Sequence, residues 1–190
     1  MQQVKPFVTQ QGISKRLRRR AAARRQRGAS LLEAIAYLGI AAIVVIGAVA
    51  LLNGAFSSAS TNAVSEQVSA IQTGVKKLYM GQVNGYTGMT NASLVGTGVF
   101  PSTMPQATGG AVTDAWGAAV TVEGGTGGGS FTITYGNVPK SVCINAIVSG
   151  GSWTSIAVNS AEAFTTLPVS PADAQTACST DANTIIWTSS

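Results

Sequence analysis

Between Leu31 and Leu52 the chain runs for 22 residues with a single charge, Glu33. As a helix rising 1.5 Å per residue, that stretch can cross the roughly 30 Å hydrocarbon core of a bilayer. Directly before it stands "KRLRRRAAARRQR". Residues 1–28 hold nine of the twelve Lys and Arg and no acid; the rest carries Lys76, Lys77 and Lys140 against seven carboxylates, a net of −4. The overall charge of +5 therefore describes one block rather than a surface. A nucleic-acid-binding protein spreads its cations over a folded face, so no nucleic-acid partner is expected. The positive-inside rule keeps the basic block in the cytoplasm and puts the chain after Asn53 outside. Glu33 is the anomaly. A carboxylate deep in hydrocarbon costs on the order of 2.5–3.5 kcal/mol, and such a residue requires a reason.

Composition narrows the chemistry. The chain has no histidine, which removes the Ser-His-Asp and Cys-His relays and the commonest metal ligand. Two cysteines cannot build a four-thiolate zinc site. No metal, no cofactor and no catalytic function are expected. A Ser–Lys hydrolase would need Lys76, Lys77 or Lys140, and the first two sit beside polar positions on a helix. "GGTGGG" is no P-loop, because no Gly-Lys-Ser/Thr follows and no helix starts there. Asn91-Ala92-Ser93 matches a glycosylation sequon by pattern only. An ordinary secretory signal peptide is the alternative reading of the N-terminus, with small residues in "NGAFSSAS" for its peptidase. The apolar run exceeds the usual 7–15 residues of such signals and has an acid near its start. "RRRAAA" lacks the apolar residues that follow a twin-arginine pair.

The helical pattern outlasts the apolar run. Val64, Val68, Ile71, Val75 and Leu78 follow 4-3-4-3 spacing, an apolar stripe facing one partner, with Ser65, Glu66, Gln67, Ser69 and Gln72 suited to water. Gly81 and Gly85 mark the stop. A helix from Ala29 to about Met80 would be roughly 75 Å long, more than an anchor needs. Small residues recur through the span, among them Ala34, Gly39, Ala42 and Gly47, and let helices approach closely. No proline interrupts it, so Gly39, Gly47 and Gly54 are its weak points.

Beyond Val83, "TGMTNASLVGTGVFPSTMPQATGGAVT" reads as a long loop region. "WGAAVTVEGG" and "SFTITYGN" read as a hairpin. "VPKSVCINAIV" reads as a short helix with Pro139 in its first turn, and "WTSIAVN" as a strand. In "SPADAQTAC", Ser170 is the expected N-cap, Pro171 the first helical residue and Asp173 the completion of a capping box. "NTIIWTS" is a last strand. The fold class is α+β: one long N-terminal helix, an antiparallel sheet laid on it, and small helices. Cys143 and Cys178 lie on the oxidising side. They either pair, closing a loop worth roughly 4 kcal/mol by chain entropy, or remain two buried thiols.

"RGASLLEAIAYLGIAAIVV" resembles the class III signal of type IV prepilins: a basic leader ending in Gly, a cut before the next residue, Glu at the fifth mature position, then an apolar run. Residue by residue, the resemblance makes Gly28 and Ala29 the cleavage site, Ala29 the N-methylated terminus, and Glu33 the fifth mature residue, which docks the next subunit. The 28-residue leader and a first residue other than Phe are similar to the type IVb subclass of bundle-forming and conjugative thin pili. "TDAWGAAVTV" is similar to the Asp-x-Trp-Gly element opening the sheet in pilins and pseudopilins, and "FTITYGNVPKSVC" to type IVb heads. The C-terminal cysteine pair of type IV pilins implies a Cys143–Cys178 disulfide. The likeness is tight over residues 24–82 and loose in the head.

That resemblance implies a pilin fold in four parts: a removed cytoplasmic leader (1–28), a transmembrane and polymerisation half-helix (29–53), an amphipathic half-helix (54–82) and an α+β head (83–190). It implies a major pilin precursor, held in the bacterial inner membrane with its N-terminus cytoplasmic and then built into an extracellular homopolymeric filament. The implied partners are a prepilin peptidase, the inner-membrane assembly machinery, minor pilins, the bilayer before assembly, and copies of the chain itself. A minor pilin, a type II secretion pseudopilin and a non-polymerising membrane-anchored adhesin are the alternatives.

Overall fold

The stop of the long helix is set by local chemistry. Helix α1 spans Leu31–Tyr79, with Lys76 and Lys77 in its last turn, where cations complement the macrodipole. Two residues on, Gly81 takes φ +89°, a left-handed conformation that glycine adopts without a Cβ penalty. The computed structural model describes residues 30–190. The basic block and the Gly28–Ala29 junction lie outside the described residues. The chain divides at Ala50/Leu51 into two units. In the first, described from residue 30, the chain is helical from Leu31 and every side chain is exposed.

In the second unit, α1 changes character. Val64, Val68, Ile71 and Val75 are buried in one cluster with the inner face of a sheet. Leu78, expected to extend the stripe, is 42% exposed; the inward face passes instead to Tyr79, four residues after Val75, which packs on the core cluster and against Tyr86. Two residues of the expected water-facing set turn inward to bond. Gln67 Nε2 donates to Thr103 Oγ1 at 3.4 Å. Gln72 Nε2 donates to Ser152 O at 2.8 Å and to Ser189 Oγ at 2.9 Å.

After α1 come helix α2 (Asn91–Leu94), strand β1 (Val120–Gly124), strand β2 (Phe131–Val138), helix α3 (Lys140–Val148), strand β3 (Ser155–Val158), helix α4 (Pro171–Ala177) and strand β4 (Asn183–Ser189). The four strands form an antiparallel sheet ordered β1-β2-β4-β3. Alternation does the sorting. Along β4, every second residue from Asn183 is buried, as expected of a sheet with one wet face. Register aligns the buried residues into rows: Val122, Ile133, Trp187 and Ile156 in one, Val120, Tyr135, Ile185 and Val158 in the next. An irregularity between Tyr135 and Val138 includes Asn137 at φ +49°, and it returns Val138 to the buried side.

Two end details differ from expectation. Pro139 lies at the N-cap of α3, not inside its first turn, and its carbonyl accepts from Cys143 N at 2.9 Å. At α4, Ser170 caps Asp173 N at 3.2 Å, but the Asp173 carboxylate accepts the Ser170 hydroxyl at 2.7 Å. It does not reach the Ser170 backbone N–H as Glu or Gln would in a full capping box.

The hairpin loop and the segment after α1 cross closely. Tyr86 N donates to Gly128 O at 2.9 Å, and Gly124 N to Met89 O at 3.0 Å. A Cβ on Gly124 would collide with the Tyr86 carbonyl. Gly124→Ala should therefore destabilise the chain by more than the ~1 kcal/mol typical of a point change. Ile71→Ala, at a fully buried site, should cost about 2–5 kcal/mol, and Leu78→Ala less than about 1 kcal/mol. Denaturant unfolding of the detergent-solubilised chain checks all three. Equal losses at Ile71 and Leu78 would contradict the observed boundary of the buried stripe.

Candidate functional site

Two regions hold the residues singled out by sequence: the start of α1 and the disulfide-bearing end of the head. At the first, Gly28 and Ala29 lie outside the described residues. Ser30 stands immediately before α1. Its Oγ accepts from Glu33 N at 3.2 Å, and its carbonyl accepts from Ala34 N at 3.1 Å. Ser30 is an N-cap that the sequence reading passed over. Its signal was present, because Ser-Leu-Leu-Glu fits the Ser-x-x-Glu pattern of a capping box. Glu33 lies in the first helical turn. Among the described residues its exposed carboxylate accepts no hydrogen bond, so the helix start leaves its charge available.

From Leu31 to Phe56 the helix is bare. Leu31 is 80% exposed, Ile43 72% and Phe56 66%. A Cβ added at Gly39, Gly47 or Gly54 would meet nothing within 4 Å. The small residues there are thus not demanded by the chain's own fold; they suit close approach by something outside it.

At the second region, Cys143 on α3 and Cys178 at the end of α4 form a disulfide with Cα atoms 6.0 Å apart. Both are buried. An asparagine pair ties this staple to the sheet. Asn159, at φ +53°, donates to Ala177 O at 3.2 Å and to Asn183 Oδ1 at 2.8 Å. Its Oδ1 accepts from Thr184 N at 2.9 Å. The fully buried Asn183 donates to Val138 O at 3.1 Å and Thr180 O at 2.6 Å. Asn91 of the sequon is committed likewise: it donates to Val120 O at 2.6 Å and accepts from Val122 N at 2.7 Å, so its amide is a brace for β1.

The Asp-x-Trp-Gly element is a clip. Asp114 Oδ1 accepts from Trp116 N and Ala118 N, both at 2.9 Å, and holds Trp116 beside Ala59, Ser60 and Ala63 of α1. Asp114 Oδ2 is buried with no partner among the described residues. Burial raises the Asp114 pKa above its ordinary 3.8, against the lowering effect of the Ala118 and Trp116 N–H groups. Nearby, Tyr135 OH donates to Gln67 Oε1 at 3.3 Å; burial and the Asp114 charge push the phenol well above its ordinary range.

The family described as PilS N terminal matches residues 58–190. The chain belongs to this PilS family of pilins. The matched span holds the buried stripe and the whole head, so membership stands without the N-terminal signal in which the likeness first showed. Two relatives, each named "Major structural subunit of bundle-forming pilus", come from Escherichia coli O111:H- and Escherichia coli O127:H6 (strain E2348/69 / EPEC). Each is 27% identical over 171 residues, 80% of this chain and 88% of the relative. The long helix, antiparallel sheet and C-terminal disulfide are the pilin fold anticipated from the residues. The PilS family is a structural one.

Asp114 gives the head a pH dependence. Because its folded pKa lies above the unfolded one, its contribution is present in full below about 3.8 and is lost as pH rises through the folded value. Thermal unfolding of the solubilised chain should therefore gain stability from Asp114 as pH falls from neutral toward 4, and Asp114→Asn should remove that slope. An unchanged slope in Asp114→Asn would contradict it. Reducing Cys143–Cys178 should cost about 2–4 kcal/mol, read from the same melts.

Proposed function

We propose that this PilS pilin is made as a type IVb prepilin and serves as the major structural subunit of an extracellular filament. The bare apolar half of α1 carries the reading: side chains exposed along that stretch need a bilayer or other helices around them. The two relatives named as major subunits of a bundle-forming pilus support a major role over a minor one. In this proposal the leader, residues 1–28, holds Gly28 at the cytoplasmic face, where a prepilin peptidase cuts before Ala29. The Ala29 amine is then N-methylated. Residues 29–53 cross the bilayer and later line the filament, residues 54–82 join stalk to head, and residues 83–190 form the exposed head. Assembly machinery and minor pilins complete the apparatus.

Glu33 is the docking residue of this scheme. The terminal amine is cationic near neutral pH. Buried among helices, it is very costly unpaired and tolerable with a carboxylate at hand. One carboxylate per subunit near the helix start can also set axial register, as a lone polar residue does in a coiled coil. The competing role is structural. An acid in the first turn contributes only about 0.3–1 kcal/mol through the macrodipole, and a capping box accepts Gln as well as Glu.

That difference supplies the test. Glu33→Gln keeps the cap and removes the charge. It should leave insertion, cleavage and disulfide formation intact while filaments fail to appear by electron microscopy. Filaments at wild-type abundance from Glu33→Gln would reduce Glu33 to a helix-start residue. N-terminal sequencing of the exported chain should begin at Ala29; a start after Ser57 or Ser60 would mean an ordinary signal peptide and end the pilin-precursor reading.

A further inference from the structure

In the turns that leave α1, Asn84 is followed by Gly85. Gln82, Val83 and Asn84 are all exposed there, Val83 fully so. Among the described residues the Asn84 side chain makes no hydrogen bond; only its backbone carbonyl is engaged, accepting from Thr87 N at 3.2 Å. The other asparagines of the described chain are placed differently. Asn91, Asn159 and Asn183 are held by hydrogen bonds. Asn62, Asn137 and Asn145 precede Ala63, Val138 and Ala146, whose side chains crowd the backbone nitrogen that follows. Asn53 also precedes a glycine, Gly54, but lies inside α1. A helix commits that N–H to its ladder and, at helical ψ, holds it away from the preceding side chain.

We propose that Asn84 is a deamidation site, at which the backbone nitrogen of Gly85 attacks the Asn84 side-chain amide. A bond forms from Gly85 N to Asn84 Cγ, and the amide nitrogen leaves as ammonia with the proton that Gly85 N gives up. The resulting succinimide ring is then opened by water, the only co-reactant. Water adding at Cγ gives aspartate with the main chain unchanged; water adding at the backbone carbonyl gives isoaspartate, whose main chain runs through Cβ and Cγ. Glycine suits the attack because no Cβ shields its nitrogen and its backbone turns freely. Gly85 N donates to Gln82 O at 3.1 Å, so the ring closes from the opened turn, and exposed turns open at little cost. The two products act differently on the crossing with the hairpin loop. Gly85 at φ +53° and Gly128 at φ +73° meet there; a Cβ on Gly85 would collide with Gly128 O, and one on Gly128 with Asn84 O. Aspartate adds a charge and leaves that packing alone. Isoaspartate lengthens the main chain where there is no room, and so displaces Tyr86 N from Gly128 O, a bond of 2.9 Å. The mark accumulates with time since synthesis and loosens this corner of the head.

Ageing the detergent-solubilised full chain at mildly alkaline pH tests this, with each asparagine followed by tandem mass spectrometry. Asn84 should convert at least tenfold faster than Asn53, with isoaspartate among its products. In denaturant, where the helix no longer protects Asn53, the two rates should converge to within a few-fold. Amide hydrogen exchange at Tyr86 should quicken at least tenfold in the isoaspartyl fraction. It should keep the unmodified rate in Asn84→Asp, which carries the charge alone, and in Asn84→Gln, which should not convert. An Asn84 that outlasts or matches Asn53 in the folded chain would overturn the site. Isoaspartyl chains with unaltered exchange at Tyr86 would overturn its effect on the crossing.

Discussion

Val64, Val68, Ile71 and Val75 lie against two rows of side chains on the sheet, and the rest of the head depends on that contact. The four strands are short, and only one face of the sheet is apolar. Without a helix over them, Ile133, Tyr135, Ile185 and Trp187 would be wet. Once α1 is seated, the long connection from Gly81 to Ala119 can be pinned by apolar plugs rather than by regular structure. Met89, Leu94, Val99, Phe100, Met104 and Val112 all enter the same cluster. Val99 lies so close to α1 that a Cβ on Gly74 would stand 3.1 Å from its Cα. Loop and helix therefore hold each other.

The opposite end of the sheet solves a different problem. There α3 buries Val142, Cys143, Ala146 and Ile147, but α4 buries only Ala174. A covalent link and two asparagines supply the constraint. Cys143–Cys178 joins the helices, while Asn159 and Asn183 satisfy carbonyls that the chain reversals leave unpaired. Buried amides are tolerated because their polar atoms are bonded. Asp114 is the exception. Half of its carboxylate closes the Trp116 clip, and the other half is buried without a partner among the described residues, a local cost borne by the surrounding core.

The start of α1 shows how one residue type can answer to two demands. Ser30 and Glu33 make a good helix start, and the same acid puts a charge on an otherwise apolar rod. The cap is a local matter of a fraction of a kcal/mol to about 2 kcal/mol. Hiding an unpaired ion is larger by several-fold. The magnitudes separate what Glu33 does for its own helix from what it offers a neighbour.

Much of this was legible in the residues alone. The 4-3-4-3 spacing named four of the buried α1 positions, alternation in "FTITYGN" and "NTIIWTS" named the inner rows, and Gly81 and Ser170 marked ends. These features depend on period and on hydrogen bonds within a few residues. What the chain's order left open has partners far away in sequence. Gln72 meets Ser189 across 117 residues and Asn91 meets Val120 across 29. Leu78 has the right spacing, yet the core takes Tyr79 instead, and Asp114 is ordinary by sequence yet buried. Secondary structure and the bare apolar half of α1 follow from local pattern and apolar run length, which any segment carries in itself. Burial and the fate of each polar side chain follow from which segments meet. Only the assembled sheet, seated on its helix, decides that.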